Sequence, residues 1–328
     1  MSPRIQGHGH NAQPTEGAIL SKIETALENA LEKEGLEPST DPVKRQKYLY
    51  LAVDNFTAED QNPITYSWFK WGASAVAGPG GPDTGKTFFT DRPSAAPLVE
   101  TSISEYVDFF IGDGHSLPLE RWWEADFLEF LEHFYTNSAP DQYRDLYVNN
   151  IQLLKILDEV EGAVFQARNP ARKETYDDVC EISADIKGEV LIQEELDSDY
   201  EIVSEFMGLL EDSIMVLSDI SRDELKKGHQ TAISEVKDHY MDHVWLILAH
   251  NMSLKTAVGP NVEDIYQTSP DQLTRLRETF KREQDTKKQI CSSVGLLPNL
   301  ADYEDSSESF EEKGVEFLNV AEGRESAE

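Results

Sequence analysis

Apolar residues recur at helical spacing through most of the chain. Between Thr15 and Glu34, the residues Ile19, Ile23, Ala26, Leu27 and Leu31 fall three or four apart, and Gly35 ends the run. Asp41 and Pro42 then read as the N-cap and first position of a second helix. Aspartate offers an acceptor to free N–H groups, and proline needs no donor there. Val43, Tyr48, Leu49, Leu51, Ala52, Val53 and Phe56 leave almost no polar face after Lys47, which predicts a buried helix over 42–58. Gln61-Asn62-Pro63 stops it. The stretch Ile64–Gly72 that follows, with Tyr66, Trp68, Phe69 and Trp71, is the densest aromatic patch in the chain. A core is expected around these two segments. Residues 77–100 are rich in Gly, Pro, Ser and Thr and read as a long loop or a small β excursion.

Further on, Ser102 and Glu105 form a capping box that opens a helix through Phe110. Pro118 opens a longer one, where Trp123, Phe127, Phe130, Leu131 and Phe134 form an aromatic stripe read as core. Asn137-Ser138-Ala139-Pro140 breaks it, and an amphipathic helix runs from about Asp141 to Phe165. In the second half, helices are expected over Tyr176–Lys187 and Asp197–Leu217, with Gly188 and EVLIQEEL between them. A capping box at Ser221 and Glu224 precedes a helix reaching Lys255, stopped by Gly259-Pro260. Ser269-Pro270 starts a last helix through about Ile290.

These elements predict an all-α or mainly α protein. Its parts are a disordered arm over 1–14, a compact N-terminal helical domain over 15–166 and a C-terminal helical bundle over 172–297. Residues 298–328 turn acidic and Ser-rich and are expected to be a disordered tail.

Charge sharpens this picture. The 328 residues hold 62 Asp and Glu against 29 Lys and Arg, a net charge of −33. The acid is spread along the whole chain, which fits a salt-rich cytosol such as that of halophilic archaea, where screening makes self-repulsion tolerable. Such a protein is a poor general nucleic-acid binder; Lys44, Arg45 and Lys47 form the one tight basic cluster near the central helix. Two cysteines, Cys180 and Cys291, make neither a disulfide framework nor a thiolate metal site. The N-terminus lacks the apolar run of a signal peptide, and the longest strongly apolar run, Val244–Ala249, is too short to span a bilayer. A cytoplasmic location is the expectation.

Two motifs carry chemistry on paper. Gly80-Gly81-Pro82-Asp83-Thr84-Gly85-Lys86-Thr87 satisfies G-x-x-x-x-G-K-[ST], in which Gly80, Gly85, Lys86 and Thr87 would cradle nucleotide phosphates. That loop needs a buried strand before it and a helix after it. Here Pro82 removes an amide and Pro93 follows closely, so the stretch reads as a Gly/Pro turn. The second is a histidine stripe, His239, His243 and His250. At ~100° per residue the three fall within about 40° on one helix face. His239 and His243, four apart, can converge on one zinc or nickel ion, with Glu235, Asp238 and Asp242 close in sequence. HYMDH lacks the glutamate of HExxH, and the competing reading is a half-buried polar seam bonded to a neighbouring helix.

The central stretch resembles the Panacea domain of SocA-like antitoxins. Gln46-Lys47-Tyr48-Leu49-Tyr50-Leu51-Ala52 matches that family's "QKLLYLA"-type helix, and Lys70-Trp71-Gly72-Ala73 stands where an aromatic and "YGP" follow. The likeness covers at most residues 17–158. Ala73 replaces the expected proline, and the helical half from about residue 170 has no counterpart. The resemblance implies a mostly helical domain that binds a protein partner, commonly a toxin, with no catalytic residues and no cofactor. Tyr66, Trp68 and Trp71 would then be core plus partner groove. Three functions follow in order: a non-enzymatic, antitoxin-like interaction protein adapted to high salt; a metal-binding helical bundle or hydrolase using His239 and His243; and a nucleotide binder at 80–87.

Overall fold

Asp41 caps the central helix as its position demands, its carboxylate accepting from the backbone N–H of Val43 at 2.9 Å and of Lys44 at 3.3 Å. The structure is a computed structural model that describes residues 16–37, 41–57, 62–75, 101–112, 114–165 and 173–298. The chain is mainly α-helical. In order come α1 (Glu16–Glu34), α2 (Pro42–Phe56), the strands β1 (Tyr66–Phe69) and β2 (Gly72–Ala75), and α3 (Ile103–Ile111). Then follow α4 (Leu119–Trp122), α5 (Phe127–Ser138), α6 (Arg144–Phe165), α7 (Lys173–Ile192), α8 (Tyr200–Asp219) and α9 (Lys227–His239). A π-helical turn, Tyr240–Val244, leads into α10 (Trp245–Thr256), and α11 (Glu263–Val294) is last.

Two compact units are distinguishable. One comprises Met1–Gln152, Asp185–Tyr200 and Asp242–Thr279; the other comprises Leu153–Ala184, Glu201–Met241 and Phe280–Glu328. They alternate along the chain, where the sequence predicts the consecutive halves 15–166 and 172–297, because each boundary falls within a helix and not in a linker. The arm 1–14 with His8 and His10, the loop 77–100, the link 166–172 and the tail from 299 lie outside the described residues.

In the first unit, the aromatic segment is a β-hairpin, with Phe69 opposite Gly72, Trp68 opposite Ala73, Ser67 opposite Ser74 and Tyr66 opposite Ala75. A two-stranded hairpin is marginal alone. Here helices supply what neighbouring strands would. Lys47 on α2 donates to the Ala73 carbonyl at 2.7 Å, and the Tyr147 hydroxyl on α6 donates to the Phe69 carbonyl at 2.8 Å. From α10, the Trp245 indole N–H donates to the Lys70 carbonyl at 2.7 Å, and the Thr256 hydroxyl accepts the Trp68 N–H at 2.8 Å. Ser67 and Ser253 share a hydrogen bond of 2.8 Å. Past α10, Val258 exchanges two backbone hydrogen bonds with Tyr66. Gly259 then turns at φ +112°, where a Cβ would lie 2.4 Å from the Ile64 carbonyl oxygen; only glycine fits that approach.

Several helix boundaries differ from the sequence reading, each for a local reason. The helix expected from Pro118 is split, because Asp126 caps a fresh start by accepting from Leu128 and Glu129. Gly188 does not break α7: nothing lies within 4 Å of its Cβ position, and buried Ile186 and Val190 on either side hold the helix. The Ser221–Glu224 box is present but opens only a 3-10 turn, Arg222–Glu224. Pro270 lies inside α11, which starts seven residues earlier at Glu263.

Candidate functional site

Strand alternation decides the fate of the aromatic patch. Ser67 and Phe69 face α10, where the Phe69 ring meets His250 edge-on at 4.7 Å. Trp68 points the other way, stacked on Phe134 at 5.5 Å and flanked by Tyr50 at 5.7 Å and Tyr147 at 5.4 Å. With both faces covered, Trp68 is 2% exposed. Of the expected core plus partner groove, Trp68 belongs to the core. Tyr66 and Trp71 remain half-exposed. They do not share a patch, since Tyr66 sits at the open end of the hairpin and Trp71 at its tip, roughly 14 Å away at ~3.4 Å per residue. Trp71 packs edge-on against Phe127 at 5.4 Å, and Lys70 beside it pairs with Asp242 at 3.0 Å.

At the open end, Tyr66 is part of a polar chain. The Trp68 indole donates to the Tyr50 hydroxyl, and Tyr50 donates to Tyr66. The Asn62 amide approaches the Tyr66 hydroxyl at 3.5 Å. The two phenol rings meet edge-on at 5.1 Å. Asp54, one turn beyond Tyr50 on α2, faces both. Burial pushes both phenols above their ordinary range, and the Asp54 carboxylate adds to the shift. Burial also raises the Asp54 carboxyl. The phenols therefore stay neutral, and the edge offers aromatic area and hydrogen bonds. Val258, 36% exposed, continues it on the far side of Tyr66. Tyr50, Asp54 and Val258 escaped the sequence reading. The one signal for the first two was their spacing of four on a helix with almost no polar face after Lys47.

The basic cluster is spent internally. Lys44 is buried and donates to the carbonyls of Trp123 and Ala125, where α4 ends, with its ammonium 5.2 Å from the Phe130 ring centre. Arg45 pairs with Glu24 at 3.0 Å and Glu28 at 2.9 Å. Lys47 is 0% exposed. Lys44 and Lys47 are thus buried, and Arg45 is paired with two carboxylates of α1.

The histidine stripe is also altered. Residues 240–244 form a π turn, so the ~100° step that aligned His239 with His243 does not hold between them. In the second unit, His239 is 1% exposed, stacked on Phe280 at 5.3 Å, with Nε2 bonded to the Gln284 side-chain oxygen at 2.9 Å. The Gln284 amide in turn donates to the Glu205 carbonyl at 2.9 Å. His243 is half-exposed, and His250, in the first unit, is buried with Nδ1 unpartnered. No group of three metal-ligating side chains occurs among the described residues. His239 thus makes a buried polar contact with the Gln284 amide of α11. Gly80, Gly85, Lys86 and Thr87 lie outside the described residues.

Fold and edge together define a mainly helical protein whose first unit encloses a hairpin with a polar aromatic rim. The chain belongs to the family described as Domain of unknown function (DUF8098), whose model matches residues 8–109 and 89–319. No curated protein and no solved structure matches it. No helix among the described residues is long and apolar enough to cross a membrane.

Proposed function

We propose that this chain is a non-enzymatic interaction protein, regulatory and antitoxin-like in class, working in the cytoplasm of a salt-rich cell. The observation that carries the reading is the edge formed by Tyr50, Tyr66, Asn62 and Val258. It is half-exposed, aromatic and held rigidly by the hairpin behind it. Tyrosines of this kind give a partner large contact area at little entropic cost, and their hydroxyls direct it. The sequence resemblance to the Panacea domain agrees with a protein partner. Affinity capture of the tagged chain from its own host in concentrated KCl tests this. One stoichiometric protein should co-purify and be lost with Tyr66→Ser, whose side chain is outside the core. Capture of the same proteins by parent and variant alike would refute it.

A further inference from the structure

A second surface, independent of the hairpin, lies on the last turns of α7 in the first unit. Ile186 and Val190 are both 0% exposed and fix which side of the helix faces inward. Leu191 and Ile192 consequently point out, 58% and 70% exposed, the two most exposed large apolar side chains among the described residues. Fraying does not explain this, because the chain just beyond is tied down. The Gln193 amide donates to the Gln142 carbonyl at 2.7 Å, Glu195 accepts from the Tyr143 hydroxyl, and Leu196 is 0% exposed. Asp199 follows, fully buried, held by Arg277 Nε and Nη2 at 2.7 Å each and by the Asn251 amide at 2.7 Å. Two exposed branched side chains on a segment this firmly anchored cost solubility without helping the fold.

Charge says what fits there. Asp185, Glu189 and Ile192 lie at i, i+4 and i+7, one stripe of α7. Asp145, on α6, stands close to this stripe, and its repulsion and that of Asp185 add to burial in raising the Glu189 carboxyl. Gly188, with open space at its Cβ position, leaves a low floor between the carboxylates and the apolar pair. We infer that this stripe docks a basic amphipathic helix of another protein, with apolar residues against Leu191 and Ile192 and Lys or Arg against Asp185, Glu189 and Asp145. A second copy of this chain would bring like charge to the same carboxylates, so it is the disfavoured occupant. In concentrated salt the apolar pair supplies the affinity, and the carboxylates select at close range. The inference rests on the interaction reading for its class but not on the Tyr50–Tyr66 edge.

The test uses the full chain and a fluorescent synthetic peptide of about eighteen residues, leucine on one helical face and lysine on the other. Anisotropy titrations are run in dilute and in concentrated KCl, with circular dichroism to confirm that each variant is folded. The peptide should bind, about tenfold or more weakly to the Leu191→Ser/Ile192→Ser variant. Asp185→Asn/Glu189→Gln should weaken binding chiefly in dilute salt, and Tyr66→Ser should leave it unchanged. Equal binding by parent and the Leu191/Ile192 variant would overturn the inference. So would equal binding of a scrambled peptide of the same composition, or self-association of the parent that this variant abolishes. If Tyr66→Ser loses the host partner while the peptide ignores α7, only this inference fails.

Discussion

The ammonium of Lys47 is a charge held inside the core, and removing it should change how stability depends on pH. Nζ bonds to the Ala73 carbonyl at 2.7 Å and lies 5.7 Å from the Phe134 ring centre, in a residue 0% exposed. Burial pulls its pKa down from 10.5 to about 7, with the Asp41 carboxylate opposing weakly. In the unfolded chain the group titrates at its ordinary value. Between about pH 7 and 10.5 the unfolded chain therefore holds a proton that the folded chain lacks, and stability rises with pH by about 1.4 kcal/mol per unit. The whole window is worth roughly 5 kcal/mol; below pH 7 both states are charged and the cost is undiminished. Lys47→Met keeps the length and removes the charge, but leaves the Ala73 carbonyl without its donor, at about 1–2 kcal/mol. The variant should thus be more stable than the parent by about 3 kcal/mol near pH 6 and less stable by about 1 kcal/mol near pH 10, with the two curves crossing between. Urea denaturation followed by tryptophan fluorescence, repeated across this range in concentrated KCl, measures both slopes. Parallel curves for parent and variant would refute a neutral Lys47 in the folded state.

His250 should add an acid limb. Burial holds its pKa at about 4, so the unfolded chain takes up a proton first, and stability should fall by about 3 kcal/mol as pH drops from about 6.5 to 4. His250→Gln should flatten that limb in the same denaturation series. Gly259→Ala forces a Cβ against the Ile64 carbonyl at a φ of +112° and should cost about 3 kcal/mol or more, read as a lowered Tm in calorimetry. With a net charge of −33, the unfolding midpoint should climb as KCl is raised from about 0.1 to 2 M; a flat response would remove the salt-adaptation reading.

Helices with a strong inner stripe were legible from spacing alone. The Asp41 and Ser102 caps and the aromatic stripe of α5 stand where the pattern placed them. What escaped depends on partners distant in sequence. The letters of Tyr66, Trp68 and Trp71 do not say which is core and which is rim; that is set by Phe134, Tyr147 and α10, which close over both faces of a hairpin that no local signal announced. Lys44 and Lys47 read as a basic patch because a lysine that donates to buried carbonyls has the same letter as one in water. The π turn at 240–244 left no mark in composition, and neither did the different burial of the two histidines, His239 packed on Phe280 and Gln284 and His243 half-exposed. Exposure of Leu191 and Ile192 was hidden for the opposite reason: Gly188 looked like a break, so the stretch beyond it was not read as a helix face.

The measurement that bears most directly on the central claim is hydroxyl-radical footprinting of the chain, free and in complex with the protein that co-purifies with it. Tyr50 and Tyr66 are half-exposed and should be oxidised in the free chain, then protected on binding. Trp68, already 2% exposed, should be slow in both states. Unchanged oxidation of Tyr50 and Tyr66 in the complex would contradict the account.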